Sequence, residues 1–523
     1  MARIIGVNWG AGQTFQPDEG KVVRPPICMA ENCTFMSNEL EAPSQITSRV
    51  LSVVFKLVMI YGSFSDTEIN GLVYVVIART YMVVLSVCVV ASIFFIGNHL
   101  KKHSGTIAAA LTAVFPPFIH AAHCAENDTF VALCICIGIL CAFHYLEENR
   151  NYKWLSLMSL ITVFATFDKW HGIVMCSIIA IAICLKQFKH KNYMIILLHG
   201  AFSVFVIVVS TILLVPNLIV NCDDIIETLI HLTNDYVDDQ NATFMQNIYA
   251  YVIWFFSHMG IMSIIFLIAG VIHAIKEKQI EFILLLIGIA EIFGICIQDR
   301  HYIRWGYPFY VVLIIMIGVG VVHVYENSNR IYKKIFFGSS IALIGLNLLA
   351  GTALLDIMFA NSQLDTRVAS EKWCQDRGIS QFDCIYDHYT CWSPGGIVTR
   401  YSGRYGLSVN EAIQKIDQNI MINHIGRLYA VALPNENMKY MIKQGGGMES
   451  AYFKVDCVFN DNGFGDFGNV PYKIFEPSRI LFCLNKCMGI LKKRCCLGMI
   501  LLFMILERFH HMRGANILIM IRR

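Results

Sequence analysis

The chain is poor in charge: Lys, Arg, Asp and Glu make up 15% of its 523 residues, against 56% hydrophobic residues. With a mean hydropathy of +0.55, that balance excludes an ordinary soluble globular protein and fits a multi-spanning membrane protein. Neither sign of charge dominates. The formal net charge is +3, so there is no electrostatic case for a nucleic-acid partner, and charges inform only by position. The 19 cysteines show no metal-ligand spacing, and several (Cys88, Cys134, Cys136, Cys141, Cys184) sit in apolar runs as small hydrophobes. No metal ligand is assigned, no cofactor is required, and an added divalent cation stays open. Cys374, Cys384, Cys391 and Cys457 would pair as disulfides only in an oxidising compartment. Also missing is a cleavable signal peptide, since Met1 to Gly10 holds one arginine and almost no apolar run.

Apolar runs are what the chain has instead. Runs approaching the roughly 20 residues a crossing needs lie at Ile69 to Gly97, Gly105 to Ala122, Thr129 to Leu146, Trp154 to Phe167, Trp170 to Leu185, Tyr193 to Val220, Phe244 to Ile272, Ile280 to Ile297, Trp305 to Val324 and Ile335 to Phe359. They predict a mainly α, polytopic protein with about ten transmembrane helices. Ahead of them, Gln45, Ser48, Arg49, Ser52 and Lys56 recur every three or four residues through an apolar segment, the pattern of a helix lying in the membrane interface.

Loop charge gives the orientation, because lysine and arginine collect on the cytoplasmic side. Alternate connections carry Lys101 and Lys102, Arg150 and Lys153, Lys186 to Lys191, Lys276 and Lys278, and Arg330 to Lys334. The intervening ones carry Glu126 and Asp128, Asp168 with Lys169, an acidic run from Asp223 to Asp239, and Asp299 to Arg304. The second set, Asp18 and Glu19, and everything after Phe359 therefore fall outside the cytoplasm. Beyond Asn361 hydropathy drops, and strands such as Phe382 to Tyr386, Leu428 to Leu433 and Tyr452 to Phe459 alternate with helical segments such as Arg367 to Arg377. The predicted organisation is an external loop with an acidic pair and an interfacial helix (1–68), a transmembrane helical domain (69–359), a small extracytoplasmic α/β domain (360–477) and a basic apolar, membrane-associated tail (478–523).

Ionisable residues at span ends are the candidates for chemistry. On the outer side they are Asp18 and Glu19, His123 to Asp128, Asp168 to His171, and Asp299 to Arg304. Carboxylates could take a proton from a hydroxyl, and cations could receive a departing phosphate. Taken one at a time, each charge reads first as a span end meeting water and headgroups; that reading is weaker for the set, because the short loops leave little else to put at the surface.

Several short stretches resemble one family. Asn8-Trp9-Gly10 with Phe15-Gln16-Pro17-Asp18-Glu19 is similar to the first external loop of the protein O-mannosyltransferase and aminoarabinose (lipid A) transferase group, polytopic GT-C glycosyltransferases of the family 39 type. His123 to Thr129 resembles their second external loop, Lys169 falls at a familiar lysine, and Arg304-Trp305-Gly306-Tyr307-Pro308 resembles the entry to a late span. Asp365-Thr366-Arg367 with Trp373 looks like the opening of their external domain.

The resemblance implies transfer of a sugar from a polyprenyl-phosphate donor to a lipid, glycan or protein acceptor on the outer face, with inversion. Asp18 would be the general base and Glu19 would orient it or a neighbouring cation. Lys169, Arg300 or Arg304 would meet the lipid phosphate, with His123, Asp128 and His301 lining the site. The implied location is a bacterial plasma membrane, or alternatively the endoplasmic reticulum. Relatives carry a span ahead of the acidic loop, so an upstream segment is expected to be missing, and Gln16 stands where a histidine is common. Two other classes remain. A transporter or flippase of lipid-linked saccharide would show midplane ionisable residues, broken helices and an internal repeat; no repeat is visible, and the ionisable residues read as span-end residues. An inactive structural relative in a cell-envelope complex is the other.

Overall fold

The computed structural model describes residues 3–4, 7–8, 19–34, 45–65, 71–147, 152–190, 193–215, 243–260, 262–277, 280–297 and 303–359, and beyond these only seven strands. Two compact units divide the chain: 1–7 with 18–351, and 8–17 with 352–523.

The first unit is helical. Its helices are α1 (Glu19–Glu31), α2 (Gln45–Phe64), α3 (Gly71–Leu100), α4 (Ser104–Val114), α5 (Pro116–Ala122), α6 (Asp128–Glu147), α7 (Tyr152–Asp168), α8 (Met175–His190), α9 (Tyr193–Leu214), α10 (Phe244–Met259), α11 (Met262–Glu277), α12 (Ile280–Cys296) and α13 (Tyr307–Asn327), with α14 (Arg330–Phe359) continuing past its edge. Six stretches among the described residues are helices long and apolar enough to cross a membrane, or seven if the bent pair α4 and α5 is one crossing. That is fewer than the ten expected: α7, α8, α11 and α12 are apolar helices of only 16–17 residues.

Two expected crossings are broken, each for a local reason. Gly105 to Ala122 bends by 62° between α4 and α5, where Pro116 lacks the N–H that would continue the helix. Phe244 to Ile272 is two helices, because Gly260 adopts a φ of 97°, open to glycine and closed to other residues. A capping box of Thr243 and Gln246 starts the first of the two.

Helix α2 departs from the interfacial helix expected of it. Gln45, Ser48 and Ser52 turn inward and are buried, while Val50, Val53 and Leu57 face outward. A helix in lipid hides its polar atoms against protein, and α2 has the length and hydropathy of a crossing helix.

The centre of the unit is α13, buried from Tyr307 to Val322 except for the half-buried Leu313. It packs against α11, α4, α12 and α6. Contact with α11 depends on two glycines: a Cβ on Gly320 would lie 1.8 Å from Phe266 O, and one on Gly270 2.2 Å from Met316 O. Small residues let helix backbones approach this closely, which supplies the packing a membrane interior cannot get from hydrophobicity.

In the second unit the described residues include, besides the end of α14, seven strands. β1 (Cys384–Tyr386), β5 (Tyr440–Gln444), β7 (Ile517–Arg522) and β6 (Phe453–Phe459) form one sheet in that order, β1 and β5 being parallel and the other pairs antiparallel. β2 (Ser402–Gly403), β4 (Leu428–Ala432) and β3 (Ile420–His424) form an antiparallel sheet. Three of the strands coincide with segments expected from sequence; the helical segment at Arg367 to Arg377 lies outside the described residues. Of the tail expected at the membrane, only Ile517–Arg522 is described, and it is a strand between β5 and β6.

Candidate functional site

Glu19 opens α1 and is buried. Its Oε1 accepts from Arg79 Nε at 2.6 Å and its Oε2 from Arg79 Nη2 at 2.7 Å. Oε1 also accepts the backbone N–H of Ala125 at 2.9 Å. Arg79, fully buried in α3, donates in addition to Val7 O. One bidentate pair thus ties α1, α3 and the loop ahead of α6, with several donors satisfying the charges where water is excluded. Arg79 was not among the residues singled out from sequence. The available signal was that it alone among Lys, Arg, Asp and Glu interrupts the run Ile69 to Gly97.

A second cluster joins three connections. At the start of α6, Asp128 Oδ1 accepts from Lys169 Nζ at 2.6 Å, and its Oδ2 lies 4.0 Å from Arg304 Nε. Two residues earlier, Glu126 Oε1 accepts from Arg304 Nη1 at 2.5 Å. Lys169 precedes a 3-10 turn, Trp170–Val174, and Arg304 sits in another, Ile303–Gly306, leading into α13. The carboxylates are buried, while each cation keeps 20% of its side chain exposed. The acids therefore act from inside to fix two cations at an accessible edge, and partial burial strengthens what those cations can do to an anion. The structure brings Asp128, Lys169 and Arg304 together, with Glu126 beside them.

Other residues of these loops also bond within the fold. Asp168, fully buried at the end of α7, accepts from Thr47 N at 2.8 Å and Thr47 Oγ1 at 2.7 Å, linking α7 to α2. Asn127 Nδ2 donates to Asp168 O at 2.9 Å, holding the start of α6 against the same turn. His123 is buried with Nδ1 at 2.7 Å from Ile119 O, within its own helical turn. Cys124 is a thiol pushed well above its ordinary range, by burial first and by Glu126 and Glu19 next, with Arg79 and Arg304 opposing. Asp18, Arg300 and His301 lie outside the described residues. Among the described residues no three His, Cys, Asp or Glu side chains group as metal ligands.

Charge at the opposite ends of the helices is separate. Glu147, at the far end of α6, pairs with His99 Nε2 at 2.9 Å, and Lys101 pairs with Glu326 at 2.8 Å. The 20 residues of α6 set these about 30 Å from Asp128, so each end carries its own ionic layer.

Not every ionisable residue sits at a helix end, as the sequence suggested. Arg79 lies within α3, and Glu291 within α12 is buried with Oε1 unpartnered among the described residues.

The class these features define is a polytopic helical protein with six helices of membrane-crossing length among the described residues and a buried ionic layer at one end. No family model and no curated protein matches the chain. Among solved structures it is similar to ArnT from Cupriavidus metallidurans bound to undecaprenyl phosphate, at 13% identity and a TM-score of 0.48, with 71% of each chain covered. It is also similar to the archaeal oligosaccharyltransferase AglB from Archaeoglobus fulgidus in complex with an inhibitory peptide and a dolichol-phosphate, at 11% identity and a TM-score of 0.42 over 82% of this chain and 65% of that one.

Proposed function

We propose that the chain is a GT-C glycosyltransferase that moves a sugar from a polyprenyl-phosphate donor to a hydroxyl-bearing acceptor outside the cytoplasm, with inversion. The observation that carries this reading is the pair of cations, Lys169 on Asp128 and Arg304 on Glu126, fixed side by side at one helix edge. A departing lipid phosphate needs charge stabilisation rather than an added proton, and fixed cations supply it without reorganisation. Arg300 and His301, in the same connection as Arg304, belong to this phosphate site in the proposal. Asp18 takes the acceptor proton as general base. Glu19 orients the acidic loop by anchoring the residue after Asp18 to Arg79. Single displacement needs only one base, so the adjacent pair suffices where hydrolysis would need two separated carboxyls.

The test is transfer in proteoliposomes supplied with undecaprenyl phosphate carrying a tritiated sugar and a membrane fraction as acceptor. Transfer that releases undecaprenyl phosphate supports the reading; binding without transfer, for every sugar offered, contradicts it. Glu291, buried within α12 with Oε1 unpartnered among the described residues, favours a second reading, a transporter of lipid-linked saccharide, since buried acids within membrane helices mark translocation paths. That reading predicts movement of the labelled lipid across the bilayer with its sugar still attached.

A further inference from the structure

Pro116 and Pro117 leave two carbonyls of α4 short of a donor. In an uninterrupted helix the N–H of residue 116 would serve Thr112 O and that of residue 117 would serve Ala113 O, but proline has no N–H to give. The side chain of Arg3 takes both places. Its Nη2 donates to Thr112 O and its Nη1 to Ala113 O, each at 2.9 Å. The backbone itself gives Thr112 O only a long bond, from Phe115 N at 3.4 Å. Arg3 Nε donates to Ser86 Oγ at 2.6 Å, so one buried guanidinium joins the break to α3. All three acceptors are neutral. What the guanidinium supplies is therefore a fork of donors at fixed separation, which a lysine ammonium lacks.

The break matters to the site because of what lies beyond it. Helix α5 runs from the break into the turn where the Ala125 N–H meets Glu19, Glu126 meets Arg304 and Asp128 meets Lys169. Tyr307, in the helix that Arg304 leads into, donates Oη to Pro117 O at 3.0 Å. Further along the segment that carries Arg3, Val7 O accepts from Arg79 at 3.1 Å. Arg3 thus sits where both ionic clusters take their support.

We infer that Arg3 is a positioning residue for sugar transfer: it fixes the bend between α4 and α5, and through α5 it sets the turn whose acids hold the two phosphate cations. The inference rests on the glycosyl-transfer reading and adds to it a residue that touches neither donor nor acceptor.

The variants are Arg3→Met, Arg3→Lys, the pair Pro116→Ala with Pro117→Ala, and that pair combined with Arg3→Met. Each is measured for unfolding temperature, undecaprenyl phosphate affinity, and kcat and KM for transfer of tritiated sugar. The rate at which N-ethylmaleimide modifies Cys124, as sole cysteine, reports the turn independently of activity. Arg3→Met should lower lipid affinity or kcat by about 10- to 100-fold, the scale of a displacement on the order of 1 Å. Cys124 should react about 10-fold faster, the equivalent of one lost charge-assisted hydrogen bond, and Arg3→Lys should repair this only in part. With Pro116→Ala and Pro117→Ala the helix regains its own N–H groups. Arg3→Met should then no longer lower the unfolding temperature, while transfer stays depressed because the bend is gone.

Full affinity and transfer in Arg3→Met overturn the inference, as does recovery of both stability and transfer in the combined variant, or Cys124 equally protected in Arg3→Met. If Arg3→Met alone does not fold, the combined variant decides: restored folding without transfer supports the inference, and continued misfolding overturns it. If the unaltered protein neither binds the lipid nor transfers sugar, the glycosyl-transfer reading fails and the transfer role falls with it. Faster Cys124 modification in Arg3→Met would then still show that Arg3 sets the turn.

Discussion

Arg79 holds both carboxylate oxygens of Glu19, at 2.6 and 2.7 Å, with neither residue more than 4% exposed. Breaking one side leaves a buried charge alone, which costs about 3–5 kcal/mol, whereas replacing both by apolar residues of similar size is nearly neutral. Glu19→Gln and Arg79→Met should each sharply lower the unfolding temperature of the detergent-solubilised protein. The double variant Glu19→Leu, Arg79→Met should recover most of the loss. Additive losses would mean the two residues act independently.

The cation pair predicts a binding phenotype. If Lys169 and Arg304 receive the lipid phosphate, Lys169→Ala and Arg304→Ala should each weaken undecaprenyl phosphate binding by roughly 10- to 100-fold, the equivalent of one charge-assisted hydrogen bond. Lys169→Arg should keep part of the affinity, because charge is retained while bond geometry changes. Retention of radiolabelled lipid on the immobilised protein measures this, and unchanged affinity in both alanine variants would remove the phosphate site.

Helix packing predicts a contrast between two glycines. A Cβ on Gly320 would meet backbone at 1.8 Å, while one on Gly200 meets nothing within 4 Å. Gly320→Ala should destabilise by about 1–3 kcal/mol or more through overpacking. Gly200→Ala should be neutral or stabilise by up to about 1 kcal/mol through helix propensity. Thermal unfolding of the two variants side by side gives the comparison.

Cysteine labelling tests sidedness. Cys28 and Cys33 are exposed and follow Glu19 on α1 and its end, whereas Cys124 is buried. Its thiol is held well above the ordinary range, so little thiolate forms at pH 8 and reaction is slow on two counts. With single-cysteine variants in sealed cells, a membrane-impermeant maleimide should label Cys28 and Cys33 from outside and leave Cys124 unmodified until the protein is unfolded. Labelling of Cys28 and Cys33 only after permeabilisation would invert the assigned topology.

Much of the helical unit was legible in the apolar runs, because hydropathy over 20 residues reports burial in lipid well. The same averaging hid the breaks: Gly260 and Pro116 act through backbone geometry, which a hydropathy window does not register. Helix α2 was misread because a polar stripe has the same period whether it faces headgroups or the interior of a bundle. For the site, Asp128, Lys169 and Arg304 were readable as charges in loops that should share a side. Arg79 was not, since a lone charge in an apolar run announces a partner without naming it. Only the fold brings Glu19 to it across 60 residues. Glu126 had been visible only as loop charge until its bond to Arg304 set its place.

In the proposed reaction Asp18 is the base for sugar transfer, with its neighbour Glu19 locked to Arg79. The most direct measurement is the initial rate of tritiated sugar transfer from undecaprenyl phosphate by Asp18→Asn in proteoliposomes, with binding of the donor measured in the same preparation. A loss of general-base catalysis should lower the rate by about 10²- to 10⁴-fold while donor affinity and unfolding temperature stay as in the unaltered protein. Transfer by Asp18→Asn at the full rate would contradict the assignment.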